Sequence, residues 1–124
     1  MIHAGAVMLG DKPDWKLKVR AWVEKDGRKI LGPGRVELLG HIDRLRSISA
    51  AAKQMNMSYR RAWGLVKDMN EAAGGPLVEV TTGGSGGGGA VLTPLGQQSI
   101  ALYQQILDHL AKAASDLEKP ASKK

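Results

Sequence analysis

The run Ser58-Tyr59-Arg60-Arg61 carries residue types suited to gripping a polyanion rather than turning over a substrate. A serine at a helix start accepts from the free backbone N–H groups of the first turn, and that turn also attracts anions through the helix dipole. Guanidinium groups there can hold phosphate or take a guanine edge in bidentate fashion. Lys53 and Lys67 lie on either side and could neutralise further phosphates, and Gly64 lets a helix axis approach a groove closely. Ser58 and Tyr59 could themselves donate to phosphate, although Tyr59 fits equally as the ring edge of a core. No catalytic set can be assembled. His3, His41 and His109 fall in three separate segments, Glu37 and Asp43 are not one helical turn apart, and the chain has no Cys. Neither an enzyme nor a bound metal is expected.

The elements that must position these groups follow from caps and periodicity. Ser49 to Met55 reads as a short helix capped by Ser47 or Ser49, and Asn56-Met57 as a turn. Ser58 then caps a longer helix from Tyr59 to about Ala73, ended by Gly74-Gly75-Pro76. On that second helix Ala62, Val66, Met69 and Ala73 share one stripe, widened by Tyr59, Trp63 and Leu65, and this stripe is expected in the core. Trp63 is therefore read as a core residue rather than a base-stacking platform. The opposite face holds Arg60, Arg61, Gly64, Lys67, Asp68 and Glu71, with the two acids expected to tilt away from phosphate. This is the layout of a recognition helix. An ordinary solvated helix face carries the same residue types, and this segment alone leaves both readings open.

The remaining chain supplies a scaffold of matching size. Its 124 residues suit one domain, with 43% hydrophobic residues and no Phe. The net charge of +6 is uneven: residues 11–67 hold 14 Lys/Arg against 6 Asp/Glu, whereas residues 68–124 hold 4 against 6. Positive charge thus travels with the helix-turn-helix candidate and favours a polyanionic partner. Residues 1–14 read as a flexible arm with no signal-peptide pattern, residues 15–117 as the domain, and residues 118–124 as a polar tail. No apolar run reaches the length of a membrane span, about 20 residues, so no membrane partner is expected.

Lys16 to Leu31 reads as a β-hairpin turning at Asp26-Gly27, with Leu17, Val19, Ala21 and Val23 on its buried side. Trp22 falls on the polar side, which calls for something to cover it. A helix from about Pro33 to Arg46 would bury Leu38, Leu39, Ile42 and Leu45. Leu77 to Thr81 and Ala90 to Leu92 read as strands around Thr82-Gly83-Gly84-Ser85-Gly86-Gly87-Gly88-Gly89, a wing whose tip (Gly84, Ser85, Gly86) exposes bare amides to phosphate or the minor groove. The competing reading of that stretch is a flexible linker. Thr93-Pro94 opens a last helix to about Leu117. Along it Ile100, Tyr103, Leu107, Leu110, Ala114 and Leu117 are spaced 3, 4, 3, 4, 3 as a dimer seam, beside a second stripe of Leu95, Leu102 and Ile106. The alternative is a helix folded wholly onto its own domain. The expected fold class is mainly α with small β elements: a winged helix-turn-helix with an N-terminal β-hairpin and a long C-terminal dimerisation helix.

From Leu39 to Leu107 the chain resembles the N-terminal DNA-binding domain of the molybdate-responsive transcriptional regulators, the ModE family. The resemblance is carried by Ser47-Ile48-Ser49-Ala50-Ala51-Ala52-Lys53, Ser58-Tyr59-Arg60-Arg61-Ala62-Trp63 and Met69-Asn70. The Gly-rich stretch from Thr82 to Thr93 followed by Gly96-Gln97 is the most specific part. Ser85 at the wing tip, where the family pattern has a basic residue, and Gly64, where it has larger polar ones, depart from it. The resemblance implies a winged helix-turn-helix homodimer that regulates genes of molybdate uptake or molybdoenzymes. The chain itself is expected to hold no cofactor. Molybdate enters only by family analogy, because the family's C-terminal binding domains have no counterpart in these residues.

The expected partners are double-stranded DNA of palindromic sequence, a second copy of the chain, and a separate ligand-sensing protein. The expected location is the cytoplasm, at the bacterial nucleoid. The other reading is a protein-interaction module on a winged-helix scaffold, with weak DNA binding or none.

Overall fold

The computed structural model describes residues 15–81 and 89–118. These form two compact units, one of residues 21–103 and one of residues 15–20 with 104–118. The expected arm at residues 1–14, the wing tip and the tail beyond residue 118 lie outside the described residues.

The first unit begins with a two-stranded hairpin, β1 (Val23–Lys25) and β2 (Arg28–Leu31). Asp26 and Gly27 form the turn with φ of 52° and 79°, the pair of positive values that a tight right-twisted hairpin demands. The hairpin is shorter than expected. Residues 15–22 form no strand, and Leu17 and Val19 are exposed. The reason lies in the return arm. Leu31 pairs with Val23, and Gly32-Pro33 then turns the chain into a helix, so residues before Val23 have no opposing strand whatever their alternation.

Helix α1 (Pro33–Leu45) starts with Pro in the first turn, where its missing N–H removes no hydrogen bond, and buries Leu38, Leu39 and Ile42. It ends at Arg46, whose φ of 58° returns its N–H to the Ile42 carbonyl at 2.7 Å. Leu45, expected in the buried stripe, is 37% exposed because it sits at this open end. Helix α2 (Ile48–Gln54) is capped by Ser47, whose hydroxyl accepts from the Ala50 N–H at 3.0 Å. Its Ile48, Ala51 and Ala52 are buried, the small side chains admitting the neighbouring helices closely. Asn56 turns the corner with a φ of 54°.

Ser58 then caps helix α3 (Tyr59–Ala72), accepting from the Arg61 N–H at 3.0 Å. Ala62, Val66, Met69 and Ala72 are its buried line. The helix leaves through Gly74, at φ 78°.

Strands β3 (Val78–Thr81) and β4 (Gly89–Leu92) pair antiparallel in an unbroken register from Val78↔Leu92 to Thr81↔Gly89. The Ala90 N–H donates to the Arg46 carbonyl at 3.1 Å, tying β4 to the end of α1. Asn70 ties β3 to α3: its Nδ2 donates to the Val78 carbonyl at 3.1 Å, and its Oδ1 accepts from Leu77 N–H at 2.8 Å and Val78 N–H at 3.3 Å.

Helix α4 (Pro94–Glu118) opens with Thr93 as its cap, the Thr93 hydroxyl accepting from Gly96 N–H at 3.0 Å and donating to the Pro76 carbonyl at 2.7 Å. Gly96 lies directly on the Leu77 carbonyl, where a β-carbon would collide with the backbone. The result is the winged helix-turn-helix architecture expected: three helices packed on Leu38, Leu39, Ile42, Val66, Met69 and Leu77, with a hairpin before them and a second hairpin after.

Candidate nucleic-acid interface

Helix α3 has three longitudinal zones, set by 100° per residue. The inward zone is the buried line already named. The outward ridge is Arg60, Gly64, Lys67 and Glu71, all exposed, and a Cβ at Gly64 would meet nothing within 4 Å. The flanks differ in chemistry. One carries Tyr59 and Trp63; the other carries Arg61, Leu65 and Asp68.

Trp63 corrects the expectation that it belongs to the core: it is 40% exposed, and Tyr59 beside it is 55% exposed. Their positions lie at the edge of the buried arc, on the flank where Asn70 is taken up by hydrogen bonds to Leu77 and Val78. Ala73 is likewise only half-buried, with Ala72 taking the inward position at the last turn.

The two acids do not simply tilt away. Arg28 of β2 reaches Asp68 at 2.7 Å and Glu71 at 3.7 Å, and Arg35 of α1 reaches the other Asp68 oxygen at 2.8 Å. The hydrogen bonds from Arg35 and then Arg28 hold the Asp68 carboxyl below its usual range. Both acids of α3 are thus compensated from within the fold. Arg60, Arg61, Lys67 and Lys53 make no ion pair among the described residues, and all four are exposed. The positive charge of the outer face is therefore available to an external anion. Sequence reasoning passed over Arg28 and Arg35; the signal available was the excess of basic residues in the hairpin and at the start of α1.

Ser58 keeps its hydroxyl hydrogen for another acceptor while its oxygen caps the helix. Next to Tyr59, residues Ser47, Ile48, Ser49, Val80 and Gly89 complete a small open depression of about 160 Å³ where β3 and β4 meet the helix-turn-helix. The wing tip residues Gly84, Ser85 and Gly86 lie outside the described residues, but the strands that carry them are paired in register.

On α4, Tyr103 is buried within its own unit, its hydroxyl donating to the Ala21 carbonyl at 2.9 Å. Ile100 is half-buried and Leu117 exposed. Leu107, Leu110 and Ala114, with Ala111, line an apolar depression of about 180 Å³ together with Leu17 and Val19. The second stripe is open at Leu95 and Leu102, 40% and 46% exposed. His41 contacts Arg44 and Glu37, and no cluster of metal-ligating side chains occurs among the described residues. Among the described residues no helix is long and apolar enough to cross a membrane.

Comparison with known proteins agrees with this geometry. A model of the bacterial regulatory helix-turn-helix proteins of the lysR family matches residues 34–97, from the start of α1 to the start of α4. The molybdenum-pterin-binding protein MopB of Rhodobacter capsulatus is 45% identical over 97 residues, which are 78% of this chain and 36% of that protein. The DNA-binding transcriptional dual regulator ModE of Escherichia coli (strain K12) is 47% identical over 81 residues, 65% of this chain and 31% of that one. The chain therefore spans about a third of the length of these relatives. A crystal structure of a LysR family transcriptional regulator superposes on 63% of the chain and 25% of its own, with a TM-score of 0.50 and 19% identity, a likeness of fold.

Proposed function

The chain belongs to the lysR-type family of bacterial regulatory helix-turn-helix proteins, with the sequence of a ModE-type N-terminal domain, and from that premise we propose that it binds DNA as a sequence-specific transcriptional regulator. The family is one of regulators, not of enzymes. In this reading α3 enters the major groove, Arg60 and Arg61 take guanine edges or phosphate, and Lys53, Lys67, Ser58 and Tyr59 hold the backbone. The Gly84-Ser85-Gly86 tip follows the backbone or the minor groove. The observation that carries the reading is the charge of α3: its acids are neutralised by Arg28 and Arg35 of the fold, while Arg60, Arg61 and Lys67 have no acidic partner among the described residues.

The names of the relatives, molybdenum-pterin-binding protein and ModE, point to genes of molybdate transport or molybdoenzymes as the targets. A homodimer through α4 pairs two recognition helices on a palindrome. Exposed Leu95 and Leu102 offer apolar surface for it. The setting this reading requires is the cytoplasm, at the nucleoid.

Selection of bound duplexes from a random pool at physiological salt, with and without molybdate, tests the proposal. Enrichment of a palindrome supports a dimeric regulator; no enrichment by a folded dimer refutes it. A second reading, a protein-docking module, is favoured by one observation, the exposed Tyr59, Trp63 and Val80 at the foot of the wing. Salt separates the two: affinity for DNA falls steeply with salt in proportion to the phosphates neutralised, whereas an apolar docking surface is nearly indifferent to it.

A further inference from the structure

A second basic site lies on the opposite flank of α3 from the wing. An open pocket of about 270 Å³ is lined by Trp22, Lys29, Gly32, Gly34, Arg35, Met57, Arg61 and Leu65. Three of these side chains are cationic. No acid among the described residues lines the pocket, and Asp68, the acid paired with Arg35, has both oxygens occupied, one by Arg28 and one by Arg35. Arg61 has no acidic partner among the described residues, and the Lys29 ammonium rests 5.6 Å from the centre of the Trp22 ring.

Trp22 is the wall of the pocket. The Cδ1–Nε1 edge of its indole lies against Gly32, where any β-carbon would collide with the ring, and 50% of the residue stays exposed. Gly32 also caps α1 without a side-chain hydrogen bond, and Gly34 and Arg35 of that first turn line the same pocket.

The position matters as much as the charge. Tyr59, beside the wing, and Arg61, beside the hairpin, are two residues apart, roughly 200° around the helix. The outward ridge of Arg60, Gly64 and Lys67 runs between them. A helix seated in a major groove about 12 Å wide is bordered by a phosphate strand on each side. With the helix seated that way, β3 and β4 fall on the side of one strand and the cationic pocket on the side of the other.

We propose that this pocket receives a backbone phosphodiester of bound DNA, so that the N-terminal hairpin acts as a second clamp across the groove from the Gly-rich wing. The inference rests on the DNA-binding reading and adds a contact made by Lys29 and Arg61, with the Trp22 ring holding the Lys29 ammonium beside the pocket. Arg35 is the positioning residue, holding Asp68 and, through its Nη1 to the Lys29 carbonyl at 3.1 Å, the strand that carries Lys29.

The test measures binding of a labelled random-sequence duplex to the full chain by fluorescence anisotropy, from about 50 to about 200 mM salt. Lys29→Gln is expected to reduce the steepness of log affinity against log salt by about 0.9, the loss of one phosphate contact. Gly32→Ala displaces Trp22 without altering charge and is expected to weaken binding by a few-fold at low salt. Arg44→Gln removes one positive charge outside the pocket, on α1, and is expected to leave the slope as in the parent chain.

An unchanged slope for Lys29→Gln, or an equal fall for Arg44→Gln, would overturn the pocket assignment while DNA binding stands. Displacement of the duplex by inorganic phosphate at constant ionic strength would make the pocket a free-oxyanion site and overturn it as well. Absence of salt-dependent binding by the parent chain would instead remove the DNA-binding reading itself.

Discussion

Replacing Asn70 by Ala tests how the wing is held to the recognition helix. The side chain makes three hydrogen bonds to the backbone of Leu77 and Val78. Leu77 is fully buried, at 0% exposure, so its N–H has no water to turn to when Oδ1 is removed. A buried donor left without a partner costs about 1–3 kcal/mol, and the longer bond from Val78 and the lost donation to its carbonyl add a fraction of that. The expected destabilisation is about 2–3 kcal/mol, a large share of the roughly 5–15 kcal/mol by which domains are stable. In urea the midpoint should fall by about 1–2 M with the slope m unchanged. Asn70→Asp keeps the acceptor but cannot donate to Val78, and sets a carboxylate oxygen against that carbonyl, so it should recover only part of the loss. DNA affinity should drop in both variants under conditions where they remain folded, because β3 loses its anchor on α3. If Asn70→Ala unfolds at the parent's midpoint, Asn70 does not hold this junction.

Removing Arg60 and Arg61 together by Ala should reduce specific DNA affinity by at least about 30-fold, taking about 1–3 kcal/mol for each good contact, with far-UV circular dichroism unchanged; undiminished binding would refute the role of α3. Leu102→Asp with Leu117→Asp places charge on exposed positions of α4 and should give monomers in sedimentation, whereas a surviving dimer would refute self-association through this helix. Asp68 titrates below its usual value in the folded chain, so its ion pairs stabilise the fold at neutral pH and that stabilisation fades as pH falls from about 3.9 through the lowered folded value. The stability difference between the parent and Asp68→Asn should accordingly be constant from neutral pH down to mild acid and close below it, as read by urea unfolding across that range.

Local signals in the chain carry most of the fold. Ser47, Ser58 and Thr93 cap their helices, Asp26-Gly27 turns the first hairpin, and Pro33 and Pro94 open helices, because each acts on backbone within a few residues and needs no distant partner. The same is true of the inward line Ala62, Val66 and Met69, whose period alone marks the centre of a buried face. The width of that face is a different matter. It depends on what covers the helix, and so Trp63 emerged on the surface and Leu45 at an open helix end.

The chemistry of the interface depended on residues far apart in the chain. Arg28 and Asp68 are 40 positions apart, and no periodicity links them; only packing of the first hairpin against α3 makes them a pair. Tyr103 donates to the Ala21 carbonyl across 82 positions, a contact that the spacing along α4 does not announce. The alternation of Leu17 and Val19 was legible, but strand formation needs a partner strand, and Gly32-Pro33 ended that partner after Leu31. Sequence by itself determined where the chain turns, caps and buries its helices, since those are short-range effects of single side chains on nearby backbone. Tertiary structure alone decided which charges are left over for a partner, because neutralisation is a property of neighbours in space.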